Sequence, residues 1–170
     1  MANQYEQKAF EILSKAKNLL NEFDWTTVSN VNSVLLQQKD FPEVCSTSCF
    51  RVSTHVKKPM NELVDNIRLS TEESEKQDDP DILEWSVVET GSNYRVIRQV
   101  NKMQWPIWDR ESVYVENYLR EAEDTIAVVA YSIDHKLLPV QSNKYVRPII
   151  HMLVYRFVEC IDKRLHMFLK

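Results

Sequence analysis

The residues best suited to ligate a metal or to act as nucleophile and base are four histidines, His55, His135, His151 and His166, and three cysteines, Cys45, Cys49 and Cys160. A zinc centre needs paired ligands at short spacing, and nucleophilic catalysis needs a base beside the nucleophile. No His-x-x-x-His or His-Glu pair occurs, and Cys45 and Cys49 have no second pair or histidine at ligand spacing downstream. An odd cysteine count also makes no disulfide framework. The single glycine, Gly91, excludes every Gly-rich phosphate cradle, since those loops need several glycines for close backbone approach. The expectation is a protein with no catalytic residue, no metal and no cofactor, and therefore not an enzyme.

The elements that would carry any other function are those of one compact domain over residues 1–170. Apolar residues make up 44% and charged residues 27% of the chain, a composition that can support a core. The net charge of −4 gives no broad basic surface, which argues against nucleic acid as a partner. The N-terminal residues lack a charged-then-apolar leader, and no run of 18 apolar residues exists, so a cytoplasmic location is expected.

Apolar positions Ala9, Ile12, Leu13, Ala16, Leu19, Leu20 and Phe23 recur at three- and four-residue steps, which predicts an amphipathic helix over Tyr5–Phe23. Strands follow at Thr26–Val28, Val31–Gln37 and Phe50–Val56, then a helix opened by Pro59 and running to Ile67. The polar stretch Ser70–Asp81 reads as an exposed connection. Further strands are predicted at Glu84–Thr90, Tyr94–Met103, Glu111–Leu119, Thr125–Ser132, Tyr145–Val158 and Leu165–Leu169. A helix followed by many strands implies an α+β fold with a curved antiparallel sheet.

Two strands are apolar on both phases. Val146, Ile150, Met152 and Val154 alternate with Ile149, Leu153, Tyr155 and Phe157, and Ile126, Val128 and Ala130 alternate with Ala127, Val129 and Tyr131. Both sheet faces must then be covered, by only two or three helices. A sheet wrapped around a helix and an internal apolar cavity would answer this; a filled core or an oligomer interface answers the same pattern. His151 falls mid-strand on the phase of Ile149 and Leu153, and with Val129 and Tyr131 is a candidate cavity-lining residue.

Three motifs in order, Asp79-Pro80-Asp81-Ile82, Met103-Gln104-Trp105-Pro106-Ile107-Trp108-Asp109-Arg110-Glu111 and Tyr145-Val146-Arg147, resemble those of the lipid-binding START domain. The likeness runs from the first helix to the last strand. Glu111 replaces the family's usual Asp, and Asp78 stands where the family has Trp. The resemblance implies a helix-grip fold whose cavity binds one lipid, a phospholipid, ceramide-like lipid or sterol, and transfers it between membranes.

On this resemblance Gln99, Asn101 and Tyr114, with the acidic Asp79, receive the polar end of the ligand, while a solvent-facing strand edge is the alternative for Gln99 and Asn101. Arg110, Glu111 and Arg147 are motif residues with a structural role; a structural salt bridge is expected of Arg110 and of Arg147, with direct ligand contact as the alternative. Arg110 and Glu111, adjacent in a strand, point to opposite faces and cannot pair with each other. Trp105 and Trp108 sit in a loop flanking the cavity mouth, suited to a transient membrane surface or to packing on a helix. The family closes its cavity with a C-terminal helix, whereas this chain stops at Lys170; the expectation is that the lid is absent or replaced by another segment or by a second chain in a homodimer. Rival readings are a helix-grip enzyme acting on a hydrophobic substrate and a protein-interaction module with a filled core.

Overall fold

The computed structural model describes residues 4–44, 46–141 and 143–159, and the backbone of 165–166. Helix α1 spans Gln4–Leu20 and buries Ala9, Leu13 and Ala16, the stripe its periodicity marks. Strands β1 (Thr26–Val31), β2 (Val34–Lys39) and β3 (Cys49–Ser53) form one antiparallel sheet. The expected strand Val31–Gln37 is divided, because Asn32 and Ser33 both take positive φ (51° and 66°) and make the two-residue hairpin between Val31 and Val34.

Helix α2 (Met60–Arg68) begins directly after Pro59 and buries Met60 and Val64. Where an exposed connection was expected, α3 occupies Glu72–Asp78. Its start is fixed by a reciprocal capping box between Thr71 and Ser74, and Glu72, Glu73 and Glu75 in the first turn favour the positive helix end. None of its residues is buried, which is why apolar periodicity misses it.

Six strands then run as an antiparallel meander: β4 (Ile82–Thr90), β5 (Tyr94–Asn101), β6 (Arg110–Ala122), β7 (Thr125–Ser132), β8 (Leu153–Glu159) and β9 (Leu165–His166). The expected strand Tyr145–Val158 is regular only from Leu153. Pro148 can donate no ladder hydrogen bond, and the backbone of the preceding segment bonds piecemeal, Val146 to Asp109 and Glu111, Ile150 to Ser132. Of the expected last strand, only Leu165–His166 is described, paired with β8; residues 167–170 lie outside the described residues, as do Cys45, Cys160 and the side chain of His166.

Both faces of the meander are covered, as the apolar phases of β7 require. On one face α1 packs Ala9, Leu13 and Ala16 against Val113, Val115, Leu119, Ala127, Val129 and Tyr131. The small side chains Ala9 and Ala16 let the helix lie close to the strands. On the other face α2 sets Met60 and Val64 against Ile126, Val128 and Phe157. Beside them Ile82, Trp85, Ile97, Tyr114 and Ala130 form a further cluster. Burying each such Leu, Val or Phe stabilises the fold by roughly 1.5–3 kcal/mol.

Candidate functional site

While the α1 face buries Glu111 and Asn117, the face covered by α2 carries a ladder of polar groups inward. Strand alternation puts Arg95, Ile97, Gln99 and Asn101 of β5 on it, opposite Glu116, Tyr114, Ser112 and Arg110 of β6. On β7 and β8 the same face is mainly apolar, with Ile126, Val128, Ala130, Leu153 and Phe157, and its polar groups are the Tyr155 phenol and, at the strand ends, Ser132 and Glu159. One half of the surface is therefore mostly a polar ladder and the other mostly hydrocarbon.

At the α2 end of the ladder, Arg95 Nε donates to Glu116 Oε2 at 2.8 Å, and the two residues are only 4% and 8% exposed. The remaining guanidinium donors reach the Arg68 and Ser70 carbonyls and Ser70 Oγ, so Arg95 also ties down the carbonyl end of α2. Tyr118 adds a hydrogen bond to Glu116 Oε2 at 2.9 Å. Burial pushes the Glu116 carboxyl above its ordinary range despite Arg95, and works against the Arg95 charge, which Glu116 more than restores. The Tyr118 phenol is pushed far up by burial, so it serves only as a neutral donor and acceptor. A pocket of about 340 Å³ opens here, lined by Arg68, Ser70, Arg95, Tyr118, Thr90 and Gly91 among others.

Further along the ladder three residues singled out from the sequence meet. Tyr114 donates to Gln99 Oε1 at 3.0 Å, and Gln99 Nε2 donates to Asn101 Oδ1 at 2.9 Å. Burial raises the Tyr114 phenol as well. The indole N–H of buried Trp85, opposite Gln99 on β4, leans toward the Tyr114 hydroxyl without reaching hydrogen-bond geometry.

The other candidates are dispersed. Asp79 ends α3 and accepts the Asp81 N–H at 2.9 Å, shaping the turn into β4. Val129 and Tyr131 lie on the opposite face, under α1, where Tyr131 donates to the Tyr5 carbonyl and its phenol is pushed up to about 12 by burial. They do not join Tyr114, because Tyr131 pairs with Val115 and therefore shares that residue's face. His151 is exposed, in the irregular segment before β8 rather than mid-strand.

Glu111, 2% exposed, accepts from Arg98 at 2.8 Å on one oxygen and from Arg147 on the other, on the α1 face. Burial pushes its carboxyl up, but the hydrogen bonds from Arg147 and Arg98 outweigh this and hold it below the usual range. Arg110 points the other way and forms no ion pair among the described residues, in place of the structural salt bridge expected of it. Trp105 and Trp108 are 89% and 53% exposed, with Ile107 between them, so neither is packed away on a helix.

The Arg95–Glu116–Tyr118 group escaped the sequence reading. Its signal was a pair of opposite charges set among apolar residues, Arg95 beside Val96-Ile97 and Glu116 as the one charge within Val113–Leu119. Among the described residues there is no group of three or more potential ligands that could hold a metal ion, and no helix is long and apolar enough to cross a membrane.

The architecture has clear relatives. Human StAR-related lipid transfer protein 5 superposes with a TM-score of 0.80 at 16% identity, covering 96% of this chain and 78% of that one. A STAR-related lipid transfer protein fragment from Xanthomonas axonopodis gives 0.70 at 20% identity, covering 85% and 78%. The lipid transfer and protein localization domain of human StarD13 gives 0.68 at 19% identity, covering 99% and 82%. Likeness at these identities speaks to the fold, which is the α+β helix grip. No curated protein sequence matches the chain. The family model of the START domain matches residues 6–163, nearly the whole length, and the chain belongs to that family.

Proposed function

We propose that this START domain holds one lipid between the inner sheet face and α2–α3 and carries it between membranes, with no chemical conversion. The observation that carries the reading is the two-toned inner face. An acyl chain or sterol body against Ile126, Val128 and Phe157 gains about 0.8 kcal/mol per buried methylene, while the β5–β6 ladder offers its head hydrogen-bond partners that hydrocarbon cannot. The relatives named for lipid transfer support the same reading.

The 340 Å³ pocket at Arg95 and Tyr118 sits at the low end of the roughly 300–1,000 Å³ of small-molecule sites. A whole lipid therefore requires α2 or the loops around it to part, and opening, not chemistry, sets the rate. Exposed Trp105, Ile107 and Trp108 suit insertion at a bilayer interface while that happens. In this reading the domain works in the cytosol and meets membranes transiently.

Native mass spectrometry of the purified chain after incubation with mixed-lipid vesicles tests this. One lipid per chain, together with transfer of labelled lipid from donor to acceptor vesicles, is the expected result. A chain that emerges empty from every lipid mixture and moves no label is not a lipid carrier.

A further inference from the structure

Among the described residues, Arg110 is the one charged member of the inner ladder without a counter-ion. It stands directly opposite Asn101 on β5, so both side chains leave the same face a cross-strand pair apart, about 4.5–5.5 Å at Cβ. Its guanidinium forms no ion pair or side-chain hydrogen bond among the described residues, although it is half-buried. The carboxylates of α3 and its cap, Glu75 and Asp79, do not pair with it, and neighbouring Asp109 is engaged by the Met103 N–H. Glu111 is turned to the other face and taken by Arg98 and Arg147.

The hydrogen-bond chain beside Arg110 ends in donors. Tyr114 gives its proton to Gln99, Gln99 gives one to Asn101 Oδ1, and the Asn101 amide nitrogen donates to nothing among the described residues. Trp85 contributes a further buried N–H that finds no acceptor among the described residues. A half-buried guanidinium beside unused amide donors is suited to an oxyanion, and the planar guanidinium fork matches phosphate oxygens two at a time.

We propose that Arg110 and the Asn101 amide form a phosphate-binding site at the Trp105 end of the inner face, which selects lipids with a phosphate-bearing headgroup over neutral lipids. This rests on the lipid-carrier reading and narrows its ligand class. The phosphate could belong to the carried lipid or to the bilayer surface at the loop; the site is assigned to the carried lipid.

Two lipids that differ only in the phosphate, dioleoyl phosphatidic acid and dioleoylglycerol, make the test. The full chain is incubated with vesicles containing equal amounts of both, re-isolated and weighed by native mass spectrometry. Wild type should load phosphatidic acid at least about tenfold over diacylglycerol, about 1.4 kcal/mol of preference, and Arg110→Gln should bring the ratio close to one. Asn101→Asp, which supplies Arg110 with a counter-ion across the strand pair and spares the guanidinium, should do the same. Equal loading by wild type, or an unchanged ratio in a folded Asn101→Asp, overturns the site while leaving lipid carriage intact. Loading of neither lipid nor any other overturns both. Water-soluble dihexanoyl versions without vesicles should keep the preference; a preference seen only with vesicles assigns the phosphate to the bilayer and overturns the proposal.

Discussion

Arg95 Nε donates to Glu116 Oε2 at 2.8 Å across the β5–β6 pair, and the same guanidinium holds the Arg68 and Ser70 carbonyls where α2 ends. Helix and sheet are thus joined by hydrogen bonds from a guanidinium that a buried ion pair holds in place, as well as by apolar contact. Glu116→Gln leaves the Arg95 charge buried without its counter-ion and should cost about 3–5 kcal/mol in urea unfolding. The double change Arg95→Met with Glu116→Leu should recover most of that loss, because it removes both desolvated charges. A Glu116→Gln variant as stable as wild type would mean that the pair does not clamp α2.

Glu111 predicts how stability depends on acid. Its folded carboxyl lies below the ordinary value of 4.5, since Arg147 and Arg98 outweigh the burial that pushes it up. A depressed carboxylate contributes stability above its unfolded value and loses it as pH falls toward the folded one. Glu111→Gln should therefore be destabilised relative to wild type at pH 7, by about 3–5 kcal/mol for a broken buried pair, and the gap should narrow below about pH 4.5. Denaturant melts of both proteins between pH 3 and 7 would reveal a gap that stays constant if the sign is wrong.

The tryptophans separate docking from folding. Trp105 is almost wholly in water, so Trp105→Ala should leave the unfolding free energy within about 0.5 kcal/mol, while Trp108, 53% exposed, should cost about 2–3 kcal/mol when replaced by Ala and still leave the domain folded. Two large apolar side chains lost from a bilayer contact, each worth roughly 1.5–3 kcal/mol when fully buried, should lower vesicle co-sedimentation by an order of magnitude or more. Unchanged sedimentation would place the docking surface elsewhere.

Gly91 has a steric reason to be the chain's one glycine. A Cβ there would stand 2.0 Å from Tyr94 Cε1, and the Tyr94 ring is itself held edge-on to Tyr5 and by a 2.7 Å hydrogen bond to Glu89. Gly91→Ala should cost about 1–3 kcal/mol through overpacking. Combined with Tyr94→Leu, the loss should be smaller than the two single effects added, a coupling measurable by a double-mutant cycle. Full additivity would deny the contact.

Much of the architecture was legible along the chain, because short-range periodicity is a local consequence of burial. The α1 stripe, the Pro59 start of α2 and the two apolar phases of β7 each report which side chains must leave water. The family resemblance added the group Gln99, Asn101 and Tyr114, which do meet. Helix α3 stayed hidden because capping and charge stabilise it without a buried face, and the segment 145–152 read as strand because its apolar pattern says nothing about where Pro148 and the backbone find partners.

Tertiary structure alone decided which face is which. Alternation in the chain separates Tyr131 from its neighbours, but only strand pairing with Val115 sends it under α1, away from Tyr114. Register likewise unites Arg95 with Glu116, 21 residues apart, and leaves Arg110 opposite Asn101 with no counter-ion among the described residues. Periodicity is set by each residue's own burial, whereas a pair across strands exists only once the backbone hydrogen bonds of two distant segments have chosen their alignment.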